Sequence, residues 1–151
     1  MKATRRQAIK TTGAMATLVS IGLVTQSQAQ AAVDRASFEV KTMADALKAL
    51  GGTPATSDQI SVVSPDIAEN GAVVPVGASS KLADTTEIYL LVEKNPTPLS
   101  AGFILPAGTL AEVQTRLKMG QSTNVIAVVK AGGKLYSATK ETKVTLGGCG
   151  G

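Results

Sequence analysis

The chain has 151 residues, with fifteen Lys and Arg, eleven Asp and Glu, no His, no Trp and one Cys. Without an imidazole, Ser-His-Asp and Cys-His activation of a nucleophile are excluded, as are most zinc sites. A lone thiol likewise excludes an intrachain disulfide, a four-cysteine metal site and a C-x-x-C redox pair. The length suits one domain, and a hydrophobic fraction of 44% with only 3% aromatics implies a core of Val, Ala, Leu and Ile.

The formal charge of +4 lies at the start of the chain, where Lys2, Arg5, Arg6 and Lys10 precede the first acid, Asp34. Beyond residue 31 the basic and acidic residues are equal in number, so a nucleic-acid partner has no electrostatic basis. Residues 1–10 form a basic region, and Thr11 to Val24 is uncharged and moderately apolar. Ser27-Gln28-Ala29-Gln30-Ala31 then places small residues at the −3 and −1 positions of a cleavage site. The apolar stretch is about 14 residues against the roughly 20 of a membrane span, and it contains Gly13 and Gly22. A signal peptide over 1–31 is therefore expected, cleaved after Ala31 with Ala29 as the alternative end. Thr4-Arg5-Arg6-Gln7-Ala8-Ile9-Lys10 resembles the twin-arginine export signal, which implies transport of an already folded protein to the bacterial periplasm.

From Ser37 to Leu50, Met43, Leu47 and Leu50 recur at helical spacing, and Gly51-Gly52 stops the pattern, so one amphipathic helix is expected. Beyond it come short apolar or alternating runs at Ile60–Val63, Ala72–Val76, Glu87–Val92, Gly102–Leu105, Glu112–Lys118, Asn124–Lys130, Lys134–Ala138 and Thr142–Leu146. Asn70-Gly71, Asn95-Pro96, Pro106-Ala107-Gly108 and Ala131-Gly132-Gly133 supply the reversals. Glu69-Asn70-Gly71 reads as a hairpin turn and Asn95-Pro96-Thr97-Pro98 as a rigid loop, and either also offers a partner contact. The pattern favours a mainly β fold, an antiparallel sandwich of immunoglobulin-like size over residues 32–146, without the Cys-Trp-Cys core of antibody domains.

The chain ends Gly147-Gly148-Cys149-Gly150-Gly151. Glycines on both sides of the only thiol leave the backbone its widest freedom, so residues 147–151 are expected to form an arm reaching on the order of 15 Å past the last strand. Such a thiol can enter a cleft on another protein. A prenylation box is excluded, because Cys149 is third from the end among glycines. An intermolecular disulfide that makes the protein a dimerising interaction module stays open. A catalytic nucleophile lacks a base and a held geometry. Lys140 and Lys143 lie close enough in sequence to favour the thiolate, or form a solvated strand face.

Val144-Thr145-Leu146-Gly147-Gly148-Cys149-Gly150-Gly151, with the segments 65–76, 93–99 and 115–119, resembles the SoxY family, sulfur-compound carriers of the periplasmic thiosulfate-oxidising Sox system. The resemblance spans essentially the whole mature chain. It implies an immunoglobulin-like subunit that pairs with a SoxZ-like protein lacking its own signal and exported as its passenger. It also implies that Cys149 carries the substrate covalently, presented by transient docking to a haem coupling enzyme, a manganese sulfate-releasing hydrolase and, where present, a sulfur dehydrogenase. Catalysis would then belong to those enzymes, with no cofactor or metal on this chain beyond the sulfur held on Cys149. If export follows the twin-arginine route, replacing Arg5 and Arg6 by Lys should strand the precursor in the cytoplasm. Fractionation and N-terminal sequencing check both the route and the cleavage site.

Overall fold

The computed structural model describes residues 35–145. The expected signal peptide over 1–31 and the arm 147–151 with Cys149 lie outside the described residues.

Two sheets make the fold mainly β. Strands β1 (Ala55–Thr56), β3 (Ile67–Ala68), β5 (Thr85–Val92), β6 (Leu99–Ile104), β8 (Thr123–Ala131) and β9 (Lys134–Val144) form the larger sheet, in the order β1-β9-β8-β5-β6 with β3 also on β9. Strands β2 (Ile60–Val63), β4 (Val74–Ser80) and β7 (Glu112–Leu117) form the smaller, in the order β2-β4-β7. The facing sides meet in one aliphatic core. Val74, Val76 and Ala78 come from β4, Ile88, Leu90 and Val92 from β5, and Val125, Ala127 and Val129 from β8. Each is at most 1% exposed, and burying a Val, Ile or Leu side chain contributes about 1.5–3 kcal/mol. The buried cluster itself contains no aromatic residue, and Phe103 and Tyr136 pack against it from partly buried positions.

The longest strand differs from the expected pair at Lys134–Ala138 and Thr142–Leu146. Thr139, Lys140 and Glu141 stay in register opposite Ile126, Val125 and Asn124, so β9 runs unbroken from Lys134 to Val144. The turn before it fits expectation: Gly132 and Gly133 have φ of 54° and 75°, the positive values that a two-residue primed hairpin requires. Two very short strands were not legible. β1 and β3 both run parallel to β9, on the edge that β8 leaves open, so the sandwich is not wholly antiparallel. The run expected at Ala72–Val76 is displaced to Val74–Ser80, where polar Ser79 and Ser80 hold register with Ser61 and Ile60 of β2.

The expected single helix over Ser37–Leu50 is divided into a 3-10 turn, Arg35–Phe38, and an α-helix α1, Met43–Leu50. Thr42 is the reason. Its backbone is extended, and its hydroxyl accepts the Asp45 N–H at 3.1 Å, so the helix is capped there and cannot run through from Ser37. At the other end the Gly51 and Gly52 N–H groups bond to the Lys48 and Leu47 carbonyls, with Gly51 at φ 120°.

On the side of the larger sheet facing away from the core, Tyr89 pairs with Gly102 of β6. A Cβ on Gly102 would lie 3.0 Å from the tyrosine ring and 3.5 Å from Phe38 of the 3-10 turn. The glycine therefore makes room for a ring only 5% exposed. The Tyr89 hydroxyl donates to Glu87 Oε2 at 2.5 Å, and Lys130 Nζ bonds Glu87 Oε1 at 3.2 Å. Burial, reinforced by the hydrogen bond to Glu87 and by its charge, holds the phenol well above its ordinary value. An unfolded tyrosine ionises near pH 10. Below that pH both states keep the proton. Above it the unfolded chain releases the proton and the folded chain does not, so stability falls as pH rises, by up to about 1.4 kcal/mol per pH unit. Tyr89→Phe is expected to be less stable at neutral pH and to lose less stability above pH 10, which urea midpoints of both proteins across the alkaline range check.

Candidate functional site

The expected carrier residue, Cys149, and its glycines Gly147, Gly148, Gly150 and Gly151 lie outside the described residues; the platform from which they leave does not. β9 is held to its last residue and one beyond. Ser122 Oγ accepts the Val144 N–H at 2.9 Å from one side. On the other side the Lys143 N–H bonds the Asp66 carbonyl at 2.9 Å and the Thr145 N–H the Ala68 carbonyl at 3.1 Å. The chain is thus fixed through Thr145, four positions before the thiol.

The segments singled out in sequence converge on this end of the sandwich. Segment 65–76 contains β3 and the turn into β4. There the Asn70 side-chain oxygen accepts the Ala72 N–H at 3.0 Å, and Met119 N–H, in segment 115–119, bonds the Gly71 carbonyl at 2.7 Å. Asn95, in segment 93–99, donates through Nδ2 to the Lys118 carbonyl at 2.7 Å. Glu69-Asn70-Gly71 is not the hairpin turn expected: it joins β3 of the larger sheet to β4 of the smaller, so the strands it connects do not pair. Gly71 is required by space, because a Cβ there would stand 2.3 Å from the Met119 carbonyl oxygen and 2.9 Å from Val144 Cγ1. By contrast, Asn95-Pro96-Thr97-Pro98 does close a loop between paired strands, β5 and β6, and the Pro98 carbonyl accepts the Val92 N–H at 2.8 Å.

Lys140 and Lys143 are not a matched pair beside the arm. Three positions apart on one strand, they point to opposite faces. Lys140 Nζ donates to the Ser64 carbonyl at 2.6 Å and pairs with Asp66 at 3.1 Å, while Thr142, fully buried between them, bonds the Ser64 hydroxyl at 2.8 Å. Lys140 therefore staples the segment between β2 and β3 to β9 and is not free to act on a thiolate. Ser122, Ala68 and the Gly71–Met119 contact were not found by sequence reasoning. A two-residue strand has no period, and a serine clip and a glycine needed for close approach look like any loop residue.

Among the described residues no group of three or more Cys, Asp or Glu side chains is placed to hold a metal, and no helix is long and apolar enough to cross a membrane. A cavity of about 310 Å³ sits at the opposite end of the sandwich, lined by residues including Leu82, Asp84, Thr85, Leu105, Pro106 and Thr109.

The family model for the sulfur oxidation protein SoxY matches residues 46–149, which runs from α1 to the terminal cysteine. The chain belongs to the SoxY family. A solved structure of the sulfur carrier protein SoxY from Chlorobium limicola f thiosulfatophilum is similar at 38% identity and a TM-score of 0.61, covering 68% of this chain and 94% of that one. A superoxide reductase (neelaredoxin) from Ignicoccus hospitalis shares the fold alone, at 18% identity and a TM-score of 0.50, over 61% of this chain and 95% of that one. A comparison with curated proteins finds no match. Within the SoxY family match, all the segments around the arm's root are included, so the turn at Gly71 and the clip at Ser122 belong to the shared region.

Because the Cβ of any larger residue at position 71 meets a backbone carbonyl, Gly71→Ala is expected to force β4 and the Met119 segment apart. The cost is that of overpacking, about 1–3 kcal/mol. A urea unfolding midpoint checks it, and amide exchange should locate the loosening at Met119, Val144 and Thr145.

Proposed function

We propose that the protein is a covalent carrier of sulfur intermediates in thiosulfate oxidation, bearing them on Cys149 and making no turnover of its own. The observation that carries this reading is the position of the chain's only thiol, four residues past the last anchored residue and within a matched SoxY family region. Four extended residues span at most about 13–14 Å, enough to enter a partner's cleft while the sandwich stays outside it.

The chemistry suits sulfur. In loading, the Cys149 thiol gives up its proton, its sulfur joins the outer sulfur of thiosulfate, and two electrons leave to the haem of the coupling enzyme, giving a cysteine S-thiosulfonate. In release, water attacks the terminal sulfone at the manganese hydrolase; sulfate departs and the persulfide stays on the cysteine, with no net electron transfer. Where a sulfur dehydrogenase exists, it oxidises that remaining sulfur. Bonds between sulfurs form and break by attack at a sulfur centre, which a hydroxyl cannot reproduce.

The same reading has the precursor exported to the periplasm through Arg5 and Arg6, and paired with a SoxZ-like subunit. It further classes the two-sheet fold as immunoglobulin-like, with loops of one end gathered near Val144 and Thr145, where the described chain ends. Gly147, Gly148, Gly150 and Gly151 supply backbone freedom and slenderness on both sides of the thiol.

Cys149→Ser is expected to abolish the thiosulfate-derived mass adduct on the C-terminal peptide while the thermal midpoint changes by little, since the residue lies past the anchored core. An adduct that persists in the variant sinks the reading. Val at positions 148 and 150 should sharply reduce loading and release by the partner enzymes, yet leave alkylation by a small reagent unchanged. Equal slowing in both assays would point to altered thiol chemistry and not to access.

A further inference from the structure

The chain has three asparagines, Asn70, Asn95 and Asn124. An asparagine amide is open to attack at Cγ by the backbone nitrogen of the next residue, and the three differ in what stands there. Asn95 precedes Pro96, which has no N–H to deprotonate, and its Nδ2 is engaged by the Lys118 carbonyl at 2.7 Å. Asn124 precedes the β-branched, fully buried Val125 inside β8, and its Nδ2 donates to Glu93 Oε2 at 2.8 Å. Asn70 is exposed and precedes a glycine, whose nitrogen no Cβ shields. Among the described residues no acceptor takes the Asn70 Nδ2 or the Gly71 N–H. The Ala72 N–H donates to Asn70 Oδ1 at 3.0 Å, the oxygen on which negative charge gathers when a nucleophile adds to Cγ.

We propose that Asn70-Gly71 is a self-modification site, at which the chain converts its own asparagine through a succinimide to isoaspartate and aspartate. The Gly71 nitrogen gives its proton to hydroxide and bonds to Asn70 Cγ, while the Ala72 N–H holds the charge that forms on Oδ1. The Cγ–Nδ2 bond then breaks, and Nδ2 takes a proton from water and leaves as ammonia. Water opens the ring. Attack at Cγ gives aspartate, and attack at the former backbone carbonyl gives isoaspartate, in which the chain runs through Cγ. In sum a water is consumed, ammonia is released and a carboxylate is gained, with no electron transfer. The isoaspartate places an extra methylene in the backbone where the fold is least able to take it. The Ala68 carbonyl is held by the Thr145 N–H at 3.1 Å and the Gly71 carbonyl by the Met119 N–H at 2.7 Å, so the altered link lies between two fixed points. There is no slack on the Gly71 side, where even a Cβ would stand 2.3 Å from the Met119 carbonyl oxygen. The lengthened chain must therefore give up the Met119 bond or the Thr145 bond, and with the latter the fastening of the residue just past β9. The conversion stands independently of the carrier function.

The test incubates the mature chain, residues 32–151, folded in mildly alkaline buffer, with a synthetic peptide of residues 65–76 as the unstructured reference. Peptide mapping that separates aspartate from isoaspartate reads each asparagine. Asn70 should convert at least tenfold faster than Asn124, faster still as pH rises, and no more than about threefold slower than in the peptide, while Asn95 stays intact. Asn70→Ser, which keeps an oxygen for the Ala72 N–H, should abolish conversion at this position and leave the thermal midpoint in place. The purified isoaspartyl protein should lose amide-exchange protection at Met119 or Thr145. Asn70→Asp, which has the charge without the added methylene, should keep it. Folded protein whose Asn70 outlasts the peptide beyond that threefold margin, conversion at Asn124 that keeps pace, or an isoaspartyl form with unchanged exchange would each overturn the proposal.

Discussion

The fold depends on one strand bonded along both edges. β9 pairs with β8 from Lys134 to Thr142 on one side and with β1 and β3, one near each end, on the other. The thiol of the proposed carrier is attached to the last strand of the chain, and an edge strand in that place would fray from its free end. Two short parallel strands supply the second set of bonds, and the Lys140 staple to Ser64 and Asp66 keeps the intervening segment close. Surface ion pairs contribute little by themselves. It is the hydrogen bond from Lys140 to a backbone carbonyl, beside buried Thr142 and Ser64, that ties this segment in place.

How much of this could be read from the chain follows from the range of each signal. Periodic runs announced themselves: β5 and β8 alternate between the core and the opposite face, and both were placed within two residues of where they lie. The hairpin at Gly132-Gly133 was legible because positive φ selects glycine locally. What failed was non-local. β1 and β3 are strands only because β9 passes beside them, and the polar stretch at Thr139-Lys140-Glu141 is strand only because β8 continues opposite it. Thr42, with Asp45 three residues on, caps the helix short of Ser37, and the periodic residues Met43, Leu47 and Leu50 all lie on its downstream side.

The terminal motif stands apart, since Cys149 and its glycines lie outside the described residues. A lone cysteine among four glycines is a statement about composition that needs no fold to interpret. Its setting was not legible in the same way. That the segments near 70, 95 and 118 surround the root of the arm emerges only from the topology, which brings the β3–β4, β5–β6 and β7–β8 connections to the end where β9 leaves. Gly71 illustrates the gap: its turn residues suggested a hairpin, whereas its importance lies in a carbonyl oxygen more than forty positions away.

The anchoring of β9 also has a mechanical meaning. In the proposed carrier, a pull along the axis of β9 from beyond Thr145 would load hydrogen bonds to β8, β1 and β3 that lie across that axis. Load applied in this direction is shared by many bonds at once, as in a lap joint, whereas a pull at right angles would open them in succession like a zip. Lys143 and Thr145, bonded to Asp66 and Ala68 at the point of attachment, take the first strain. In the proposed carrier, a tether seized and released by partner enzymes would thereby be fastened in the orientation in which a β-sheet is strongest.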